Sequence, residues 1–167
     1  YFTAVKGREV EMLGMDLKAD VIEYCSDVAK KVGFDGLRFV CGDITKYRPE
    51  QHINLVISLH ACDIATDIVL GKATQTEADV ILSTPCCHHD MNKKFDCESL
   101  SFIGEHSMLK QKLCDAATDA LRLKPLQAKG YEVTALELID PEETPKNILL
   151  RGIRKKNFDT HSPEAEK

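Results

Sequence analysis

The 167-residue sequence contains no tryptophan, no pair of cysteines in C-x₂₋₄-C spacing, no cluster of glycines and no long apolar run. The missing tryptophan carries no functional information. Nothing approaches the ~20 apolar residues that a membrane-spanning helix needs, so no membrane partner is expected. The seven cysteines do not read as a disulfide framework. Their number is odd, no signal peptide precedes them, and Cys25 and Cys41 sit inside apolar runs as small hydrophobes do. A reducing, cytoplasmic compartment follows as the expectation. A basic balance is also lacking: the net charge is −5, which excludes a global field attracting nucleic acid. Basic residues gather only locally, at Arg122, Lys124 and Lys129 and at Arg151, Arg154, Lys155 and Lys156, and these read as solvated surface. No initiator methionine opens the chain; Tyr1 to Val5 reads as the last turn of a helix stopped by Gly7, with more residues expected upstream.

What is present is an alternation of short apolar runs and helical periods. Val10 to Met15 reads as a buried strand ending in Asp16. From Asp20, apolar residues at Val21, Ile22, Cys25, Val28, Ala29 and Val32 form one helical face, with Asp20 and Glu23 in capping-box spacing and Gly33 as the stop. Strands are expected at Leu37 to Cys41, Ile53 to Leu59 and Ala78 to Ser83. Between the last two lies a helix from about Asp63 to Lys72, with Asp63 as N-cap and Ile64, Ala65, Ile68 and Val69 packed. Asn92 to Gly104 shows no period and reads as a loop over the sheet edge. A long helix follows, patterned on Leu109, Leu113, Ala116, Ala117, Ala120 and Leu121, and then strands at Tyr131 to Ile139 and Asn147 to Ile153 joined by a turn at Asp140 to Glu143. Two strands so joined are antiparallel neighbours. The expected fold is therefore α/β: a Rossmann-like, doubly wound, mostly parallel sheet closed by an antiparallel hairpin. One domain spans residues 1–154, and a charged, flexible tail occupies 155–167.

Chemistry concentrates where strands end, the edge at which open α/β sheets bind ligands. Asp16 ends one strand, and Gly42-Asp43-Ile44 follows the next; an acid at the earlier end accepts hydrogen bonds from ribose hydroxyls, and one at a later strand end meets the exocyclic amine of an adenine. The stretch from Ile53 to Met91 carries two polar turns, His60-Ala61-Cys62-Asp63 and Pro85-Cys86-Cys87-His88-His89. Four adjacent Cys and His residues cannot easily all reach one tetrahedral ion, so no metal ligand set is assigned, although two of them joined by Cys62 and His60 could make a zinc site. An alternative is that Cys86 and Cys87 are apolar fillers and one histidine satisfies backbone groups. As a substrate floor, the turns offer His60, His88 or His89 as a base and Asp63 to orient the nucleophile, while Pro85 fixes a loop that aims the Cys86 carbonyl.

The order of these elements resembles the class I S-adenosylmethionine-dependent methyltransferases. More specifically, Leu59 to Asp67 (LHACDIATD) and Pro85 to Cys87 resemble a methyltransferase-domain group with an LHACD-x-ATD motif and a later PCC motif. Cys86 to His89 is also similar to the CCHH of the eukaryotic tRNA ribose methyltransferases. The resemblance implies S-adenosylmethionine as cofactor, held by Asp16, Asp43, Ile44 and His60. Catalysis is implied for His60, Asp63, Pro85, Cys86 and His88, and RNA is the favoured substrate by resemblance alone. Such enzymes begin with a strand and a glycine-rich loop, and none of the nine glycines here forms one. The sheet is thus expected to lack its first strand, between those ending at Asp16 and Leu59, and this form to bind S-adenosylmethionine weakly or not at all. The rival expectation is a non-catalytic Rossmann-like interaction module, cofactor-free or zinc-binding.

Overall fold

A computed structural model describes residues 1–140, 144 and 147–158. Most of the expected tail and hairpin turn lie outside the described residues. Among the described residues, six strands and five α-helices follow one another: β1 (Met12–Asp16), α1 (Ala19–Val32), β2 (Leu37–Cys41), β3 (Leu55–Leu59), α2 (Ile64–Gln75), β4 (Val80–Thr84), α3 (His89–Lys94), α4 (Ser101–Gly104), α5 (Ser107–Ala128), β5 (Tyr131–Glu137) and β6 (Ile148–Arg154). They form two compact units, Tyr1–Arg48 and Pro49–Lys167.

The first unit holds a parallel pair, β1 with β2, in a register that sets Asp16 opposite Cys41. Gly14 lies opposite Phe39, whose ring covers the space a β-carbon would need. Ahead of β1 the chain makes one helical turn, with the Val5 amide donating to the Tyr1 carbonyl (2.9 Å), and Gly7 closes it at φ 60°. Gly33 ends α1 in the left-handed conformation at φ 71°. The predicted capping box is absent, because the helix begins two residues earlier: Lys18 rather than Asp20 is the N-cap, and its amide is taken by Asp16 Oδ1 at 2.8 Å. The apolar face of α1 was expected to be buried, yet Val21, Val28 and Val32 are exposed and Ala29 alone is buried.

The second unit holds a four-stranded sheet in the order β3-β4-β6-β5. β3 and β4 are parallel, whereas β6 runs antiparallel to both β4 and β5. This is the predicted α/β sheet with one antiparallel strand next to its edge. The described strands thus form two sheets, one in each unit. The core gathers Leu70 and Ala73 of α2, Ala78 and Ile81 around β4, Leu126 of α5 and Tyr131 of β5. The Tyr131 hydroxyl donates to the Ala78 carbonyl at 2.8 Å, so burying the ring strands no polar atom.

Three expectations are corrected here. On α2 the buried residues are Thr66, Leu70, Lys72 and Ala73, while Ile64 and Ile68 are exposed. Apolar residues occupy nearly every side of this helix, so periodicity alone could not select the packed one. On α5 the buried residues are Cys114, Asp119, Arg122 and Leu126, not the Leu109 to Leu121 stripe. Finally, the segment read as a loop from Asn92 to Gly104 carries the end of α3, a 3₁₀ turn at Glu98–Leu100 and α4.

Candidate functional site

The predicted residues divide between the two units. In the first, Asp16 and Asp43 stand at the carboxyl ends of neighbouring parallel strands, and the Gly42 amide donates to the Asp16 carbonyl at 2.9 Å. Asp43 opens a tight turn: its Oδ1 accepts from the Thr45 hydroxyl at 2.7 Å and from the Thr45 amide at 2.9 Å. Those two bonds, helped by Lys46, hold its carboxyl below the ordinary carboxylate range and keep it ionised. Ile44 lies inside this turn, its carbonyl accepting from the Tyr47 amide at 3.2 Å.

In the second unit, the turns after β3 and β4 are tied together. The His60 amide donates to the Thr84 carbonyl at 3.0 Å, extending the β3–β4 ladder into the loops. His60 and Asp63 both adopt positive φ, 53° and 46°, a conformation that costs non-glycine residues of order 1 kcal/mol each. The bonds around them hold that geometry. Thr66 donates its hydroxyl to the Ala61 carbonyl, and Arg122 Nη2 donates to the Asp63 carbonyl at 3.1 Å. Asp63 occupies the predicted N-cap position of α2 but makes no side-chain cap; its Oδ1 lies 4.0 Å from Arg122 instead. His60 is exposed, and Pro85 is fully buried beneath the second turn.

His88, predicted as a candidate base, is buried at 3% exposure. Its Nε2 meets Asp119 Oδ1 at 2.8 Å. Its Nδ1 lies 3.2 Å from Asp115 Oδ1, within ionic reach but too far off line for a hydrogen bond. A ring enclosed in this way fixes the loop to α5 and has no open path to a substrate. His89, one residue on, is exposed.

Sequence reasoning missed the partner helix. Arg122, read as a solvated surface cation, is buried at 6% exposure; its Nε bonds Asp67 at 2.7 Å and its Nη1 bonds Asp119 at 3.3 Å. The signal was available in the i, i+3 spacing of Asp119 and Arg122 within an expected helix. Asp63, Asp67, Asp90, Met91, Lys94, Thr118 and Arg122 line a cleft of about 160 Å³ beside these turns. The other grouping is of sulfur, and it joins Cys62 to the second turn as the zinc alternative had it, but without His60. Cys62 Sγ lies 3.7 Å from Cys86 Sγ and 3.4 Å from Cys87 Sγ, and Cys86 and Cys87 are 3.6 Å apart. Hydrogen bonding with Cys62 and Cys86, together with burial, pushes the Cys87 thiol up to about 12.

Residues 1–94 match the model of the methyltransferase domain family. The chain belongs to that family. Every site residue named from the sequence, from Asp16 to His88, falls inside the matched segment. Over 124 residues, this methyltransferase domain is 30% identical to the glutathione S-transferase C-terminal domain-containing protein homolog of Drosophila melanogaster, covering 57% of this chain and 21% of that protein. The chain thus spans about a fifth of that relative's length. Among solved structures, the 23S rRNA methyltransferase ErmE superposes with a TM-score of 0.55 at 9% identity, over 90% of this chain and 55% of ErmE. The N-methyltransferase NodS from Bradyrhizobium japonicum WM9, in complex with S-adenosyl-L-homocysteine, gives 0.53 at 8% identity, over 88% of this chain and 67% of NodS. At such identities the likeness is one of fold, and it agrees with the Rossmann-like sheet read from the sequence.

Proposed function

We propose that this methyltransferase domain takes part in S-adenosylmethionine-dependent methyl transfer to RNA. The observation that carries the reading is the family match over residues 1–94, which contains both strand-end acids and both polar turns. The described residues fit the adenosine end of such a cofactor. Asp16 and Asp43 bring two carboxylates to adjacent strand ends, and the ionised Asp43 accepts hydrogen bonds but donates none. Both bonds to Asp43 from Thr45 land on Oδ1, so an adenine amine would meet Oδ2. No G-x-G-x-G cluster offers itself to the methionine end. The cofactor, when bound, supplies a methyl group made electrophilic by its sulfonium.

The chain's own contribution is positioning and proton handling. His60, exposed and held at a fixed backbone angle by the Thr84 carbonyl, is the side chain suited to take a proton from an acceptor hydroxyl. Asp63, drawn toward Arg122, orients rather than abstracts. Pro85 and Cys86 form the floor of the turn, and His88 acts through the loop it anchors to Asp119. RNA as acceptor rests on the Cys86 to His89 resemblance, with ErmE, which acts on 23S rRNA, as a neighbour in fold.

Nuclear magnetic resonance titration with the analogue sinefungin at millimolar concentration tests the cofactor half. The amides of Gly42, Asp43 and Ile44 are expected to shift, and Asp43→Ala to abolish the shifts. An unchanged spectrum would leave the non-catalytic interaction module as the better reading. Incubation with tritiated-methyl S-adenosylmethionine and total RNA or protein extracts tests the acceptor: label sensitive to ribonuclease supports RNA, and label in protein alone removes it.

A further inference from the structure

The three clustered thiols form an unassigned metal-ligand set. Cys62 comes from the turn after β3, and Cys86 and Cys87 come from the turn after β4. The His60–Thr84 bond that joins these turns is what brings Cys62 to the pair. Among the described residues, this is the group of His, Cys, Asp and Glu side chains whose ligand atoms converge on one point.

We propose that Cys62, Cys86 and Cys87 bind a zinc ion as three thiolates, leaving the fourth coordination position open. A tetrahedral ion with Zn–S bonds of ~2.3 Å spaces its sulfurs about 3.8 Å apart. The three separations here, 3.4, 3.6 and 3.7 Å, fall within a few tenths of that value on every edge of the triangle. They are far longer than the ~2.05 Å of a disulfide. Adjacent cysteines are poor ligands when both must point the same way along a strand, but Cys86 and Cys87 sit in an irregular turn that lets both sulfurs reach one side. Packing does not account for the cluster, because Cys62 is exposed and the other two are only partly buried. The exposed Cys62 leaves the cluster accessible to solvent, so that water or a soluble thiol can take the fourth position. Binding replaces three S–H bonds by three Zn–S bonds and releases three protons to solvent, leaving a site of net charge −1. The ion would clamp both turns to each other, reinforcing the His60–Thr84 bond. The proposal does not depend on the methyl-transfer reading, and its test uses no S-adenosylmethionine.

Protein purified under reducing conditions, stripped with chelator and titrated with zinc against a chromophoric competitor is expected to bind one ion. Cys62→Ser and Cys86→Ser should each weaken binding by roughly 100-fold or more, while Cys97→Ser should leave it unchanged. Cobalt(II) substitution of the wild-type protein provides a readout that does not depend on variants folding. Intense thiolate charge-transfer absorption with tetrahedral d–d bands is expected. Weak absorption typical of octahedral oxygen ligands would overturn the assignment. So would zinc binding insensitive to Cys62→Ser, binding weaker than micromolar, or a disulfide within the triad that persists in place of metal.

Discussion

Arg122 makes one planar guanidinium serve three acceptors on two helices. Its three nitrogens address Asp119 on its own helix, Asp67 on α2 and the strained Asp63 carbonyl that starts α2. Lysine presents one ammonium and cannot reproduce that fork. Asp119 is itself buried and also holds His88, so removing Arg122 leaves a buried carboxylate with one partner fewer. Arg122→Ala is expected to lower stability by about 3 kcal/mol in urea denaturation. Arg122→Lys should fall between the two, because it keeps the charge and loses the contact with the Asp63 carbonyl. A loss for Arg122→Ala below about 0.5 kcal/mol would mean that the residue is solvated after all. None of this was legible from composition: a cation in a cluster of basic residues reads as surface, and only the fold reveals that its aspartates come from two helices.

At the level of elements, Asp79 joins the start of β4 to its neighbours. Its carboxylate accepts from Asn54 Nδ2 and meets His52 Nε2, each at 2.8 Å, and its carbonyl accepts from the Arg154 amide at the end of β6. The Asn54 and His52 bonds hold its carboxyl below the ordinary value of 3.8. A depressed pKa contributes stability above the unfolded value and loses it as pH falls through the folded one. Asp79→Ala is therefore expected to cost about 1 kcal/mol at pH 7, discounted for the half-exposed side chain, with the difference from wild type vanishing as pH drops below 3.8. Urea melts across that pH range check it; a difference constant with pH would exclude an electrostatic origin. Elements themselves were the most legible feature of the sequence. Leu37–Cys41 is a strand with the predicted limits, and Gly33 ends its helix as expected. Helix faces were not legible, because Ile64 and Ile68 are as apolar as Leu70 and Ala73 while only the latter pair meets the sheet. The two polar turns were correctly located, since strand ends can be read from apolar runs. The sulfur triangle was legible only in part: the sequence offered Cys62 and His60 with two residues of the second turn, but which of them converge depends on how two loops of different sequence position face each other.

For the molecule as a whole, the family match crosses the boundary between the two units, covering all of Tyr1–Arg48 and the first part of Pro49–Lys167. The parallel half of the chemistry is thus encoded early, and α5, with Asp115, Asp119 and Arg122, lies beyond the matched residues. The position of β6 has a consequence for how the chain folds. It is the last of the described strands in chain order, yet it lies inside the sheet, pairing Val80 of β4 with Ile153 and Glu137 of β5 with Ile148. β4 must therefore wait with one edge unpaired until nearly all the described chain has left the ribosome. Such long-range closure is slow compared with helix formation and holds an apolar strand open meanwhile. Pulsed hydrogen exchange during refolding is expected to protect α5 first and the β4–β6 ladder amides together and last. Closure of the sheet thus waits on the strand that comes last of those described, with β4 and β5 held apart until it arrives.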